Sequence, residues 1–330
     1  MANDVSADMS VSPQTESSLQ SADLTALVAR LEAQVSRVLR GKPEAIRLAV
    51  VSLLSGGHVL IEDVPGVGKT TLAQALARSL GLAFQRIQFT SDLLPSDVLG
   101  VSIYRQELQK FEYVPGPIFA NVLVADEINR ASPKTQSALL EAMGEGHVSI
   151  DGKRYALPQP FFVLATQNPL EYVGTFPLPE SQLDRFAMSI ELGYPPKEEE
   201  RELLMSGGVE MALTELEPVL SRSDLVTLQS RAREVKVATK LVDYMLGLAE
   251  TSRAGGEFAL GISTRGVQSW YRAVQALALT EGREFALPDD VQRLAVPLLS
   301  HRVVIKSGDG ALAAARSAID HLVAGTSVPI

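Results

Sequence analysis

The chain has no cysteine among its 330 residues. That absence excludes disulfide staples and thiolate-bound zinc. Histidine is nearly as scarce. His58, His147, His301 and His321 are scattered, with no pair at metal-ligand spacing, so each reads as a surface or internally satisfied residue rather than a ligand. No uninterrupted apolar run approaches the ~18 residues a membrane helix needs; the best candidate, "AIRLAVVSLLSGGHVLI", is broken by Arg47 and by Gly56-Gly57. Positive charge is also in deficit, with a net charge of −9 and a pI near 5.1. This balance argues against a nucleic-acid-binding body, because phosphate contacts need clustered Lys and Arg, although it leaves room for a local basic channel. The opening "MANDVSADMSVSPQTESSLQ" lacks the basic start and apolar stretch of a signal peptide. These absences lead us to expect a cytoplasmic protein, any membrane association being carried by a partner.

What is present is ordinary for a globular chain: 46% hydrophobic and 21% charged residues. Residues 1–21, rich in Ser, Asp, Gln and Glu, read as a disordered tail. Ser21 is then expected to cap a helix in "ADLTALVARLEAQVSRVL", and Pro43 to open a second one. From there short apolar runs alternate with helical patterns. "HVLIE", "AFQRIQF", "NVLVADE", "FFVLAT" and "AMSIEL" read as five strands. Apolar strands separated by helices predict a parallel sheet covered on both faces. "VSIYRQELQKFEYV" reads as a hairpin turning near Gln106 to Gln109, and Asp151-Gly152 as the turn of another. Between them Ser132-Pro133 opens a helix whose Gln136, Leu139, Leu140 and Met143 form one face, closed at Gly144. After "GYPPKEEE" the pattern becomes helical throughout, with Trp270 and Tyr271 at core spacing. The expected organisation is an α/β nucleotide-binding core over 22–195, a linker over 196–220 and an all-helical domain over 221–330.

"HVLIEDVPGVGKTTLAQALA" carries the first chemistry. The usual phosphate loop is G-x-x-x-x-G-K-[ST]. Here Gly68, Lys69 and Thr70 fit its end, while Asp63 stands where the opening glycine belongs. A polyphosphate needs converging backbone N–H groups, which a helix N-terminus supplies with a favourable dipole. The loop from Pro65 through Gly66, Val67, Gly68, Lys69, Thr70 and Thr71 could supply them. Lys69 would reach the β- and γ-phosphates of ATP, and the Thr70 hydroxyl would ligate Mg²⁺. The Asp63 carboxylate must then face away from the anion, toward a backbone N–H, and Glu62 beside it deepens the same problem.

"NVLVADEINR" places Asp126 and Glu127 at the carboxyl end of a central strand, where ligands of open parallel sheets bind. Asp126 would hold the metal through its water shell, and Glu127 would polarise an attacking water. Asn168, after "FFVLAT", could orient water and γ-phosphate; a turn residue is the plainer alternative. Arg185 in "PESQLDRF" and Arg265 in "GISTRGVQSW" are either surface ion pairs or anion contacts. Ser263 would cap the helix bearing Arg265, putting a cation against the helix dipole, where an anion should compensate.

With these residues in view, the chain resembles the MoxR family of AAA+ ATPases from roughly Leu24 to Val303. The match is densest in "PGPIFANVLVADEINRASPKTQSALLEAM" and "FFVLATQNPLEYVGTFPLPESQLDRF". The resemblance implies an AAA+ P-loop NTPase core followed by a helical lid. It also implies a magnesium-dependent ATP hydrolase that assembles as a homo-oligomeric ring, commonly a hexamer. In that frame Asp63 is a tolerated variant, Asp126 and Glu127 are the Walker B acids, and Asn168 is sensor 1. Arg265 is sensor 2, reaching the γ-phosphate from the lid, and Arg185 is the arginine finger of a neighbouring subunit's site. The hairpin at Asp151-Gly152 resembles the insert in helix 2 that faces a ring's pore. Lys42 takes the place of a Gln that many relatives hold near the adenine. The family's chaperone role implies a protein client, often with a von Willebrand factor A-type domain. A nucleic-acid motor, a non-catalytic nucleotide switch and the motor subunit of a metal chelatase are the rival functions.

Overall fold

The computed structural model of the protein describes residues 21–168, 174–205, 208–306 and 312–328. The expected tail lies outside them, apart from Ser21. Helix α1 spans Ser21–Ser36 and α2 spans Pro43–Leu54, with Pro43 in the first turn, where its missing N–H costs nothing. Leu24, Val28, Leu31 and Val35 form the buried face of α1. Strand β1 (Val59–Glu62) leads through the glycine loop into α3 (Lys69–Ser79), and β2 (Phe84–Gln88) follows. A short helix α4 (Pro95–Leu99) gives way to β3 (Gly100–Arg105) and β4 (Lys110–Pro115). Next come β5 (Val122–Asp126), α5 (Pro133–Glu145), β6 (His147–Ile150), β7 (Lys153–Ala156) and β8 (Phe162–Gln167). The core closes with α6 (Glu180–Leu183) and β9 (Met188–Ile190).

The five expected strands form one parallel sheet in the order β2-β5-β8-β1-β9. Side chains alternate across a strand, and here each face meets its own apolar layer. Val59, Ile61, Val122, Val124, Phe162 and Leu164 enter one cluster; Leu60, Leu123, Ala125, Val163 and Ala165 enter the other. In β5, β8, β1 and β9 both faces are buried, which is why those strands read as apolar runs, while the edge strand β2 leaves Gln85, Arg86 and Gln88 exposed.

Three details differ from the sequence reading. First, α5 runs through Gly144 to Glu145 and ends on Gly146, whose φ of 68° is the left-handed cap. Second, the slot between β2 and β5, where the second crossover helix would lie, holds α4 and the β3–β4 hairpin. Only five residues stay helical before Gly100, at φ 106°, turns the chain into β3. It is therefore this hairpin, and not the one at Asp151-Gly152, that interrupts the second crossover. The two hairpins do lie together, with the Tyr113 and Tyr155 ring centroids 4.2 Å apart. Third, residues expected as a linker form α7 (Lys197–Met205) and α8 (Gly208–Thr214). The acidic run that reads as a boundary fills the first turn of α7, where carboxylates suit the helix dipole. Leu213, Leu216 and Leu220 are buried, and Arg78 Nη1 of α3 donates to the Leu213 carbonyl at 2.7 Å. This stretch is part of the packed body.

The C-terminal region consists of α9 (Arg222–Glu234), α10 (Thr239–Arg253), α11 (Thr264–Thr280), α12 (Pro288–Leu299) and α13 (Leu312–Ala324). A small antiparallel strip, β10 (Phe258–Leu260) with β11 (Val304–Ile305), completes it. Trp270 is fully buried, and its indole N–H donates to the Val291 carbonyl at 3.1 Å. The apolar cluster against one face of the sheet continues through α1 and α2 into α11 and α12.

Candidate active site

The carboxyl ends of β1, β5 and β8 and the start of α3 enclose a cleft of about 310 Å³. Pro65, Gly66, Gly68, Lys69, Thr70 and Thr71 form one wall; Asp126, Glu127, Thr166 and Asn168 face them. Val67, expected with the loop for its backbone N–H, turns its side chain into the core. Gly66 and Gly68 hold φ of 85° and 99°, which L side chains rarely adopt. At Gly66 the missing Cβ would meet nothing within 4 Å, so that side of the loop is open.

Asp63 answers the question its sequence posed. Its Oδ1 accepts the Val64 N–H at 2.8 Å, and its Oδ2 accepts the Leu192 and Gly193 N–H groups at 2.7 and 2.6 Å. The carboxylate thus ties the exit of β1 to the exit of β9 and points away from the cleft. Its backbone carbonyl faces the other way and accepts Lys69 Nζ at 2.6 Å. Glu62 also turns aside, accepting the Ser189 hydroxyl at 2.7 Å, and burial raises its pKa. Burial lowers the pKa of the Lys69 ammonium, against the opposing pull of Asp63, Asp126 and Glu127.

Asp126 is 6% exposed. Thr70 Oγ1 donates to its Oδ2 at 3.3 Å, Arg86 Nε to the same oxygen at 2.6 Å, and Thr166 Oγ1 to Oδ1 at 3.2 Å. A hydroxyl and a carboxylate side by side, both hard oxygen donors, suit magnesium. Glu127 sits at φ 55°, a left-handed position uncommon for a residue with a side chain. Its N–H is held by Thr166 Oγ1 at 2.9 Å. Its carboxylate accepts Gln88 Nε2 at 2.7 Å and Arg130 Nη1 at 2.9 Å. Such strained backbone persists where surrounding bonds over-determine it.

Arg86, Gln88, Arg130 and Thr166 escaped the sequence reading. A signal existed for two of them. Arg86 and Gln88 lie two apart on β2, so they share a face, and register sets Gln88 opposite Asp126.

Arg185 and Arg265 do not line this cleft. Both line a separate cavity of about 210 Å³, together with His58, Gly144, Asp184 and Arg272. Arg185 Nη1 donates to the Leu140 carbonyl at 2.5 Å, and its guanidinium lies over Gly144, where a Cβ would come within 3.0 Å of it. The expectation that Arg265 reaches the γ-phosphate from the lid is therefore not met within the subunit. Ser263, the N-cap of α11, donates to Asp184 at 3.0 Å, which fixes the helix start beside the Asp184-Arg185 turn. Asp184 is also the anion expected near that helix terminus.

Comparison with known proteins matches this arrangement. The profile of the ATPase family associated with various cellular activities (AAA) covers residues 58–188, and an AAA lid domain profile covers 250–320. The chain is 44% identical over 281 residues to chaperone MoxR1 of Mycobacterium tuberculosis, covering 82% of this chain and 74% of that one. This chain belongs to the MoxR family of AAA+ ATPases. A second relative is the uncharacterised protein YeaC of Bacillus subtilis, 48% identical over 283 residues, with 86% and 88% of the two chains covered. Among solved structures, a candidate ATPase from Cytophaga hutchinsonii superposes with a TM-score of 0.83 at 34% identity, over 94% of this chain and 97% of that one. The MoxR chain has no helix long and apolar enough to cross a membrane among the described residues.

Proposed function

We propose that this MoxR protein hydrolyses ATP to ADP and phosphate with magnesium, as a ring, commonly a hexamer, and uses the cycle to remodel a protein client. A client with a von Willebrand factor A-type domain is the form we favour. In this reading residues 22–195 form the nucleotide-binding unit and 221–330 the lid. The observation that carries it is the cleft in which Lys69, Thr70, Asp126, Glu127 and Asn168 converge on the open side of the Gly66–Gly68 loop.

Thr70 and Asp126 would hold magnesium, whose bound form neutralises charge on the β- and γ-phosphates. Lys69 would exchange the Asp63 carbonyl for phosphate oxygens. Glu127, fixed at the rim by Gln88 and Arg130, would accept the proton of the attacking water, and Asn168 would orient that water. Arg185 and Arg265 face a different cavity, which fits arginines that serve a neighbouring subunit's site. A finger of this kind is worth about 10³–10⁵ in rate, so an isolated subunit would turn over slowly.

Glu127→Gln should keep ATP binding and lose turnover; phosphate release at the wild-type rate would refute the base assignment. Specific activity should rise more than linearly with protein concentration as rings form. Strict proportionality down to dilute monomer would remove the role given to Arg185.

A further inference from the structure

Arg302 lies just beyond α12, its side chain 1% exposed, and among the described residues it is the charged group most deeply placed between the lid and the core. Its guanidinium reaches the segment on both sides of Arg185. Nη2 donates to the Phe186 carbonyl at 2.7 Å and to the Asp184 carbonyl at 3.4 Å, and Nη1 donates to the Ala187 carbonyl at 3.0 Å. Nη1 also holds the Leu298 carbonyl near the end of α12. Nε donates to Asp184 Oδ1 at 2.9 Å. That same carboxylate oxygen accepts the Ser263 hydroxyl at 3.0 Å, and the hydroxyl in turn accepts the Gly266 N–H at 2.9 Å. One buried cation therefore touches the backbone that carries Arg185 and, through two more side chains, the first turn that carries Arg265.

A buried arginine is costly unless its donors are met. Here its bonds go to one carboxylate and four carbonyls. Three of those carbonyls belong to the Arg185 segment. A planar fork can address several acceptors at once, which a single ammonium cannot. Burial draws the pKa of Arg302 down to about 10, so it stays charged at neutral pH. A salt bridge whose sole task was to join the lid to the core would not need to bracket the arginine that faces a neighbour.

We propose that Arg302 is a positioning residue for the two arginines that act on the adjoining subunit, holding Arg185 and Arg265 in one fixed relation. The inference rests on the reading of Arg185 as acting in trans. It predicts that Arg302→Lys, which keeps the charge but loses the fork, lowers kcat about 10- to 100-fold, the scale of a ~1 Å misplacement. KM for ATP should change little, because the subunit's own cleft is intact.

The deciding experiment mixes variants. Glu127→Gln subunits have a dead cleft but sound arginines, and Arg185→Ala subunits the reverse. Phosphate release is measured for each alone and for equimolar mixtures. Recovery in the mixtures of Glu127→Gln with Arg185→Ala and with Arg302→Lys alike supports the proposal. Recovery with Arg185→Ala but not with Arg302→Lys overturns it, since the Arg302 variant then damages its own site. No recovery with Arg185→Ala overturns the trans reading, and the role of Arg302 with it. If Arg302→Lys fails to fold by its melting curve, Ser263→Ala takes its place in the same mixture. That variant removes only the hydroxyl link to the Arg265 helix, so the expected loss is smaller and the same recovery or failure decides.

Discussion

Asp63→Gly restores the glycine that the strict phosphate-loop pattern demands, and the structure says it should harm the protein. Glycine's usual advantage is access to left-handed backbone, yet Asp63 is not among the residues with positive φ. What the substitution removes is an acceptor for three N–H groups, those of Val64, Leu192 and Gly193. Stranding a buried donor costs about 1–3 kcal/mol. The Leu192 and Gly193 donors sit where β1 and β9 leave the sheet, while the Val64 donor can turn to water. A loss of about 2–6 kcal/mol follows from those two donors, with roughly 0.5–1 kcal/mol more from the freer unfolded backbone.

At about 2 °C per kcal/mol for a chain of this size, Tm should fall by roughly 5–14 °C. Calorimetry or dye-based melting of both proteins without nucleotide measures this directly. Asp63→Asn, which keeps one oxygen, should fall between the two. Affinity for a fluorescent ATP analogue should stay within about threefold, because a change below ~0.7 kcal/mol is all that the outward-facing carboxylate can impose. An unchanged or higher Tm together with clearly tighter nucleotide binding would show that Asp63 is a handicap in the loop rather than its anchor.

Gly144→Ala should gain up to about 1 kcal/mol of helix stability while crowding the Arg185 guanidinium, which lies 3.0 Å from the new Cβ. A preserved or raised Tm with lower ATPase at ring-forming concentrations is the expected pair of results; an unchanged ATPase would mean that Arg185 has room to spare. For pH, burial holds His58 and His301 neutral, with pKa values of about 4 and 3 against an ordinary 6.5. The unfolded chain therefore binds more protons than the folded one below pH 6.5, and stability falls as pH drops from there toward 4, by about 1.4 kcal/mol per unit for each histidine. His58 would also lose the acceptor that its Nδ1 gives to the Val163 N–H. A Tm that stays flat between pH 6.5 and 4.5, or a slope no shallower in His58→Gln, would refute this.

The central strands were legible because both of their faces are buried. Burial on two sides writes "NVLVAD" and "FFVLAT" as unbroken apolar runs, and the acids at their ends then fall at the cleft without further information. The expected linker is helical for a physical reason too. An acidic run after two prolines is equally the signature of a boundary and of a helix N-terminus, and only burial of Leu213, Leu216 and Leu220 decides between them.

The arginines mark the limit of the sequence. Arg185 and Arg265 could be named from their contexts, but no spacing says whether such a residue faces its own cleft or a neighbour's. That depends on where the lid is fastened, and one of the fastenings is Arg302, an unremarked residue in "LLSHRVVI" whose partners in the core lie 115 to 118 positions upstream. The same holds for Glu127, whose aim depends on Gln88 of β2 as well as on Arg130 three residues along. Motif residues are legible when the chemistry they carry restricts their type. The residues that aim them are restricted only by geometry, so they emerge once the chain is folded.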